Sequence, residues 1–196
     1  MGVREQAIER FQTWFQEAKA CEAIDDATVM TLATVSPAGQ PAARTVLLKG
    51  VDEAGFVFYT NTTSRKGQHL AAQPRAALTF YWPPLGRQVL VEGGVSPVPD
   101  AEADGYFASR PRLSQIGAWA SHQSQPLDSP EVLAQRVAEL ERYYQGVTIP
   151  RPPHWSGYRV DPTLMEFWMA GDGRLHHRER YAPDDDGHWH HGYVNP

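Results

Sequence analysis

The stretch "TVMTLATVSPAGQPAARTVLLKGVDEAGFVFYT" runs from Thr28 to Thr60, and its rhythm decides the fold. Three runs within it, "TVMTLATV" (28–35), "AARTVLLK" (42–49) and "GFVFYT" (55–60), are rich in β-branched and aromatic residues. Those side chains pack well on a pleated surface, so each run reads as a strand. The links "SPAGQP" and "DEAG" carry turn residues and are too short for a crossover helix, which makes neighbours antiparallel. Two more runs, "AALTFYW" (76–82) and "RQVLVEGGV" (87–95), continue the pattern across "PPLG". Several such strands in series predict a barrel.

Outward from this block the period changes to that of a helix. Ile8, Phe11, Trp14, Phe15, Ala18 and Cys21 recur at helical spacing and predict an amphipathic helix over residues 4–22. "SRKGQHLAAQ" (64–73) reads as a short helix with Ser64 as N-cap, stopped by Pro74. Residues 99–145 are helical again, most clearly after Ser129-Pro130, where Leu133, Val137, Leu140 and Tyr144 mark a buried stripe. The strand pattern returns in "GYRVDP", "LMEFWMA", "RLHHRERY" and "HWHHGYV". Strands from both ends then share one sheet, so residues 1–196 read as one α+β domain with a helical insertion at 99–145 and C-terminal strands at 155–196.

The bulk numbers exclude several functions. At 196 residues the chain holds one well-buried core. A net charge of −5 and a pI near 5.9 leave no global field to attract nucleic acid. Between positions 44 and 87, however, Arg44, Lys49, Arg65, Lys66, Arg75 and Arg87 face only Asp52 and Glu53. A local basin of this kind suits a small anion. The one cysteine, Cys21, permits no internal disulfide and no cysteine metal cluster, and its place in the helical pattern predicts core packing. No run approaches the ~20 apolar residues of a membrane span, and no signal segment opens the chain, so a cytoplasmic, non-membrane protein is expected.

Three constellations carry candidate chemistry. In "DGRLHHRERY" (172–181), alternation puts Arg174, His176, Arg178 and Arg180 on one strand face, which is either solvated or turned to an anion. "RTVLLK" (44–49) places Arg44 and Lys49 at the ends of a buried strand. "YTNTTSRK" (59–66) then offers hydroxyls, backbone N–H groups and Arg65-Lys66 at a helix start, either a phosphate site or an ordinary polar cap. In "YFASRPRLSQIGAWASHQS" (106–124), Tyr106 and Arg110 share a helical face and Ser114 follows Pro111 where a loop should begin. They converge on a second anion or form a surface stack. The C-terminal histidines show no recognised ligand spacing, so no functional metal is expected. No G-x-S-x-G, P-loop or G-x-G-x-x-G motif is present.

Taken in order, "RTVLLK", "FYTNTTSRK", "RQVLVEG", "YFASRPRLSQIGAWASHQS", "MEFW" (165–168) and "RLHHR" resemble the pyridoxamine 5′-phosphate oxidase family over residues 10–182. That resemblance implies an FMN-binding split β-barrel and a homodimer with flavin at the subunit interface. It assigns FMN to Arg44, Thr45, Val46, Leu47, Lys49, Tyr59, Thr60, Arg65, Lys66, Gln88, Gln123, Ser124, Trp168 and Arg178. It assigns a phosphorylated pyridine substrate to Lys49, Tyr106, Arg110 and Ser114, with Arg174 and His176 over the ring as catalytic residues. The implied reaction is hydride removal from the substrate's C4′ carbon by the flavin, with O2 as final acceptor and H2O2 as product. The resemblance also marks departures. The family commonly has a substrate-covering segment before the first helix, and this chain begins at that helix. His177 stands where the family has an acid, and "YVNP" replaces its Arg-Leu ending. Two rival readings keep the flavin: an oxidase of another substrate, as in phenazine pathways, or a module that binds FMN or pyridoxal phosphate without turnover.

Overall fold

The computed structural model describes all 196 residues. In chain order it contains α1 (Val3–Ala20), β1 (Val29–Val35), β2 (Pro41–Leu47), β3 (Gly50–Asp52), β4 (Gly55–Asn61) and α2 (Arg65–Ala72). There follow β5 (Arg75–Trp82), β6 (Arg87–Pro97), α3 (Asp100–Ser109), α4 (Arg112–Ala120), α5 (Pro130–Tyr143), β7 (Trp155–Met169), β8 (His177–Pro183) and β9 (Trp189–Tyr193). The nine strands form one antiparallel sheet in the order β2-β1-β5-β6-β7-β4-β3, with β8 added to β7 and β9 to β8.

The sheet forks at β7. One edge of this 15-residue strand pairs with β6 along most of its length. The other pairs with β4 at residues 155–160 and with β8 at residues 165–169. The sequence reading took "GYRVDP" and "LMEFWMA" as two strands; they are one. Pro162, which lacks an N–H to donate, falls in the gap between the fork's arms. Opposite it the register slips at Glu92/Gly93, and a Cβ on Gly93 would collide with the Asp161 carbonyl oxygen. Only glycine fits there.

Alternation along β1 and β5 buries Met30, Leu32, Leu78, Phe80 and Trp82 on one face. Helix α1 closes that face. Its Phe11 is fully buried, with ring centroids 4.8 Å from Phe56, 4.9 Å from Phe80 and 5.6 Å from Phe15. Cys21, expected in the core, sits half-buried at the helix's C-cap. β4 is buried on both faces because α3 covers its outside, where Val57 packs on Val98 and Ala103. A second apolar cluster of Phe107, Ile116, Tyr144, Ile149 and Trp155 binds the helical insertion to the start of β7. The predicted stripe of α5 is half-buried, with only Tyr144, its C-cap, fully covered. No helix is long and apolar enough to cross a membrane.

Candidate functional site

The first candidate patch forms where β4 runs into α2. Asn61 Oδ1 accepts hydrogen bonds from the Thr63 N–H at 2.8 Å and the Thr63 hydroxyl at 2.7 Å, which tightens the turn. Ser64 caps α2 as predicted, its Oγ accepting from the Gly67 N–H. A side chain on Gly67 would collide with the Thr62 carbonyl, so the turn closes only around glycine. Lys66 is buried, and its ammonium donates to Thr60 Oγ1 (3.0 Å), Ser64 Oγ (3.2 Å) and Gln123 Oε1 (2.9 Å). No carboxylate answers it. Burial, with Arg44 nearby, brings its pKa down to about 8.

Arg44 reaches this patch from β2. That strand is a sheet edge with no fully buried residue, contrary to the buried strand expected, because it has a neighbour on one side only. Arg44 Nη1 donates to the Leu32 carbonyl at 3.0 Å and to Thr34 Oγ1 at 2.7 Å. Thr34 Oγ1 also lies 3.1 Å from His69 Nδ1, so the hydroxyl bridges the guanidinium and the imidazole ring. Burial, followed by Arg65 and Arg44, lowers the His69 pKa. Burial and Arg65 lower that of Arg44 as well. Thr45 and Leu47 alternate to the exposed side of β2, while Val46 turns inward with Arg44.

A second patch lies on the helical insertion. The near-parallel rings of Tyr59, Tyr106 and Trp155 cluster, with Tyr59 4.0 Å from Tyr106 and 5.3 Å from Trp155. The Tyr59 hydroxyl donates to Glu102, and burial together with that carboxylate pushes its pKa up to about 12. The Arg110 guanidinium lies 4.7 Å over the Trp155 ring, and its buried Nη1 has no hydrogen-bond partner. Ser114 is in α4 rather than in a loop, because Pro111 serves as that helix's N-cap. A cavity of about 340 Å³ is lined by Tyr59, Thr60, Arg110, Ser114, Gln123 and Trp155 among others. Thr60 and Gln123 also hold Lys66, so the two cationic patches border one cavity. Ser124, next to Gln123, is held at a φ of +72°, a strained value for a residue with a side chain.

The third patch is on the sheet face turned away from the core. Gln88, Trp168 and Arg178 stand directly opposite one another on β6, β7 and β8. The strand predicted from "RLHHRERY" begins only at His177. Before it, Gly173 and Arg174 take successive positive φ values of +61° and +64°, which breaks the extended chain and leaves Arg174 exposed. His176 lies 4.6 Å from Trp168, and its Nδ1 accepts from the Gly171 N–H at 3.2 Å. Neutral His176 thus carries its proton on Nε2, the free edge of the ring.

One chain does not bring all the expected residues together. Lys49 follows β2 and lines a different cavity, of about 640 Å³, between α1 and β3. Sequence reasoning passed over Thr34, His69, Trp155 and Glu166. Only the last left a signal, a lone acid in the apolar run "LMEFWM".

A family model described as "Pyridoxamine 5′-phosphate oxidase" matches residues 16–144. The chain belongs to the pyridoxamine 5′-phosphate oxidase family. Residues 155–196 match that described as the "Pyridoxine 5′-phosphate oxidase C-terminal dimerisation region". A pyridoxine/pyridoxamine 5′-phosphate oxidase of Alkalilimnicola ehrlichii is 56% identical over 197 residues, covering 100% of both chains. One from Myxococcus xanthus is 57% identical over 92% of this chain and 87% of its own. Among solved structures, PhzG from Burkholderia lata 383, in complex with tetrahydrophenazine-1-carboxylic acid, superposes with a TM-score of 0.90. It is 33% identical over 96% of this chain and 92% of its own. An FMN-binding protein of Nostoc punctiforme, 19% identical with a TM-score of 0.71 over 89% of this chain and 91% of its own, shares the split-barrel fold of the oxidase family.

Proposed function

We propose that this protein is an FMN-dependent oxidase of pyridoxamine 5′-phosphate and pyridoxine 5′-phosphate, yielding pyridoxal 5′-phosphate with O2 as acceptor and H2O2 as by-product. The observation that carries the reading is the cavity bordered by two cationic groups, the Lys66 ammonium and the orphaned Arg110 nitrogen, neither of them paired with a carboxylate. A buried cation lacking a counter-ion is costly, and a phosphate dianion would relieve each. Two phosphate esters, one on the cofactor and one on the substrate, fit two such groups.

FMN fits the residues present. Arg44, Arg65, Lys66 and the Thr60 hydroxyl would hold its phosphate near the α2 N-terminus, with Gln123 and Ser124 at the rim. Tyr59, placed with FMN by resemblance, would act by backing this wall through its stack on Tyr106 and Trp155. Thr45, Val46, Leu47, Gln88, Trp168 and Arg178 would flank the ring system. When bound, FMN supplies the hydride acceptor and the route of electrons to O2. The chain's own residues do the positioning. Arg110, Ser114, Tyr106 and Lys49 would clamp the substrate phosphate, and Arg174 with the His176 Nε2–H would orient the pyridine ring. Lys49 lines a separate cavity and the 155–196 segment matches a dimerisation region, which supports a homodimer with FMN at the interface. A single cysteine and the lack of a spanning helix accord with a cytoplasmic enzyme.

The superposition on PhzG favours a second reading, a flavin oxidase of a phenazine precursor. Arg110 argues against it, since a substrate without phosphate leaves that guanidinium unpaired. The test is to add pyridoxamine 5′-phosphate to the FMN-loaded protein in air and follow aldehyde and peroxide. Catalytic formation of both is expected; absence of both with FMN bound would overturn the substrate assignment.

A further inference from the structure

Glu166 lies in β7 between Met165 and Phe167, both wholly in the core, so its own side chain points to the opposite face. On that outward face it is nevertheless only 5% exposed, because two guanidiniums lie over it. Arg178 gives Oε1 two contacts, Nε at 2.8 Å and Nη2 at 2.7 Å, and Arg180 Nη2 reaches Oε2 at 2.9 Å. Arg180 stands directly opposite Glu166 in the register and would by itself neutralise it. Arg178 is therefore the surplus cation of the three groups. Its remaining Nη1 donates to the Asn195 carbonyl at 2.9 Å, so the guanidinium is held on both sides. It is fixed beside Trp168 and Gln88, on the face assigned above to the flavin ring.

We propose that Glu166 is a positioning residue that holds Arg178 at the bound flavin and offsets part of its charge. The inference rests on the flavin reading above. A fixed cation beside the ring favours the reduced, more negative flavin, and the buried carboxylate moderates that effect. Loss of the carboxylate alone would leave Arg178 held on one side only, by the Asn195 carbonyl, and the site more positive by one charge.

The experiment titrates FMN, by flavin fluorescence, into wild type, the single variants Glu166→Gln, Arg178→Gln and Arg180→Gln, and the double variant that combines Glu166→Gln with Arg178→Gln. It then measures the midpoint potential of each FMN-loaded protein against a reference dye. Glu166→Gln should weaken FMN binding roughly tenfold to a hundredfold, the span of one charge-assisted hydrogen bond, and move the potential to a more positive value. In the Arg178→Gln background the same substitution should leave FMN affinity unchanged, as expected of a residue acting through another, while the potential still rises because the carboxylate charge is still lost. Arg180→Gln leaves both Arg178–Glu166 contacts in place and should change FMN affinity less than about threefold. Wild-type affinity and potential in Glu166→Gln, or an undiminished loss of affinity without Arg178, would overturn the inference. Should Glu166→Gln not fold, Glu166→Asp keeps the charge on a shorter stem. It should weaken FMN binding at an unchanged potential, and wild-type affinity would overturn the inference. Failure of the wild type to bind FMN would instead bring down the flavin reading itself.

Discussion

Lys66 and Gln123 lie 57 residues apart in sequence, and the buried ammonium donates to the amide oxygen at 2.9 Å. This contact joins the helix start that follows β4 to the loop that follows α4, and it makes one cavity wall out of two separate motifs. Its chemistry also sets a pH dependence. Burial and Arg44 lower the Lys66 pKa to about 8, below its unfolded value. Between pH 8 and about 10.4 the unfolded chain then binds the extra proton, so the ligand-free protein gains stability as pH rises through that window. FMN affinity should run the other way, falling as the ammonium deprotonates above about pH 8. Flavin titrations from pH 7 to 9.5 should show this fall in the wild type and a flat profile in Lys66→Met.

Arg110 makes a sharper contrast between stability and function. Its buried Nη1 lacks a partner, so Arg110→Met removes an unsatisfied charge and should leave the melting temperature equal or higher. The KM for pyridoxamine 5′-phosphate should rise about tenfold to a hundredfold, the cost of one charge-assisted contact. Thermal melts and steady-state kinetics on the same preparation check both halves.

His176 is oriented by the Gly171 amide through Nδ1, which leaves Nε2–H as the group it can present. His176→Asn keeps an acceptor near the amide and loses the distal N–H. Turnover should fall about a hundredfold, within the range of a lost proton-handling group, while FMN stays bound. Unchanged turnover would remove His176 from the mechanism.

Phe11 tests the fold itself. Its ring is enclosed by Phe15, Phe56, Phe80 and Trp82, so Phe11→Ala should cost about 3–5 kcal/mol in urea unfolding. A loss below about 1 kcal/mol, the range of surface changes, would mean that α1 does not seal the barrel.

Much of the framework was legible because its signals are local. Period-two runs located β1, β2, β4, β5 and β6 but not the short β3, helical spacing located α1, and Ser64 marked the start of α2. The failures share a cause. Nothing in "RLHHRERY" announces that Gly173 and Arg174 bend the chain out of extension, or that Gly171 must pass close to the Leu175 carbonyl. Alternation therefore assigned Arg174 to a strand face that does not exist there, while it holds for Arg178 and Arg180.

The amino-acid sequence by itself determined most of the strands and helices, the acid-poor segment from Arg44 to Arg87 and the likeness to a family. Those depend on residue types and on neighbours a few positions away. Tertiary structure decided that β7 forks the sheet, that Thr34 and His69 brace Arg44, that Glu166 holds Arg178, and that Lys49 lies apart from Arg110. Each of these is set by strand register or packing between segments 10 to more than 100 residues apart. A one-residue slip in register would turn the same side chains to the opposite face.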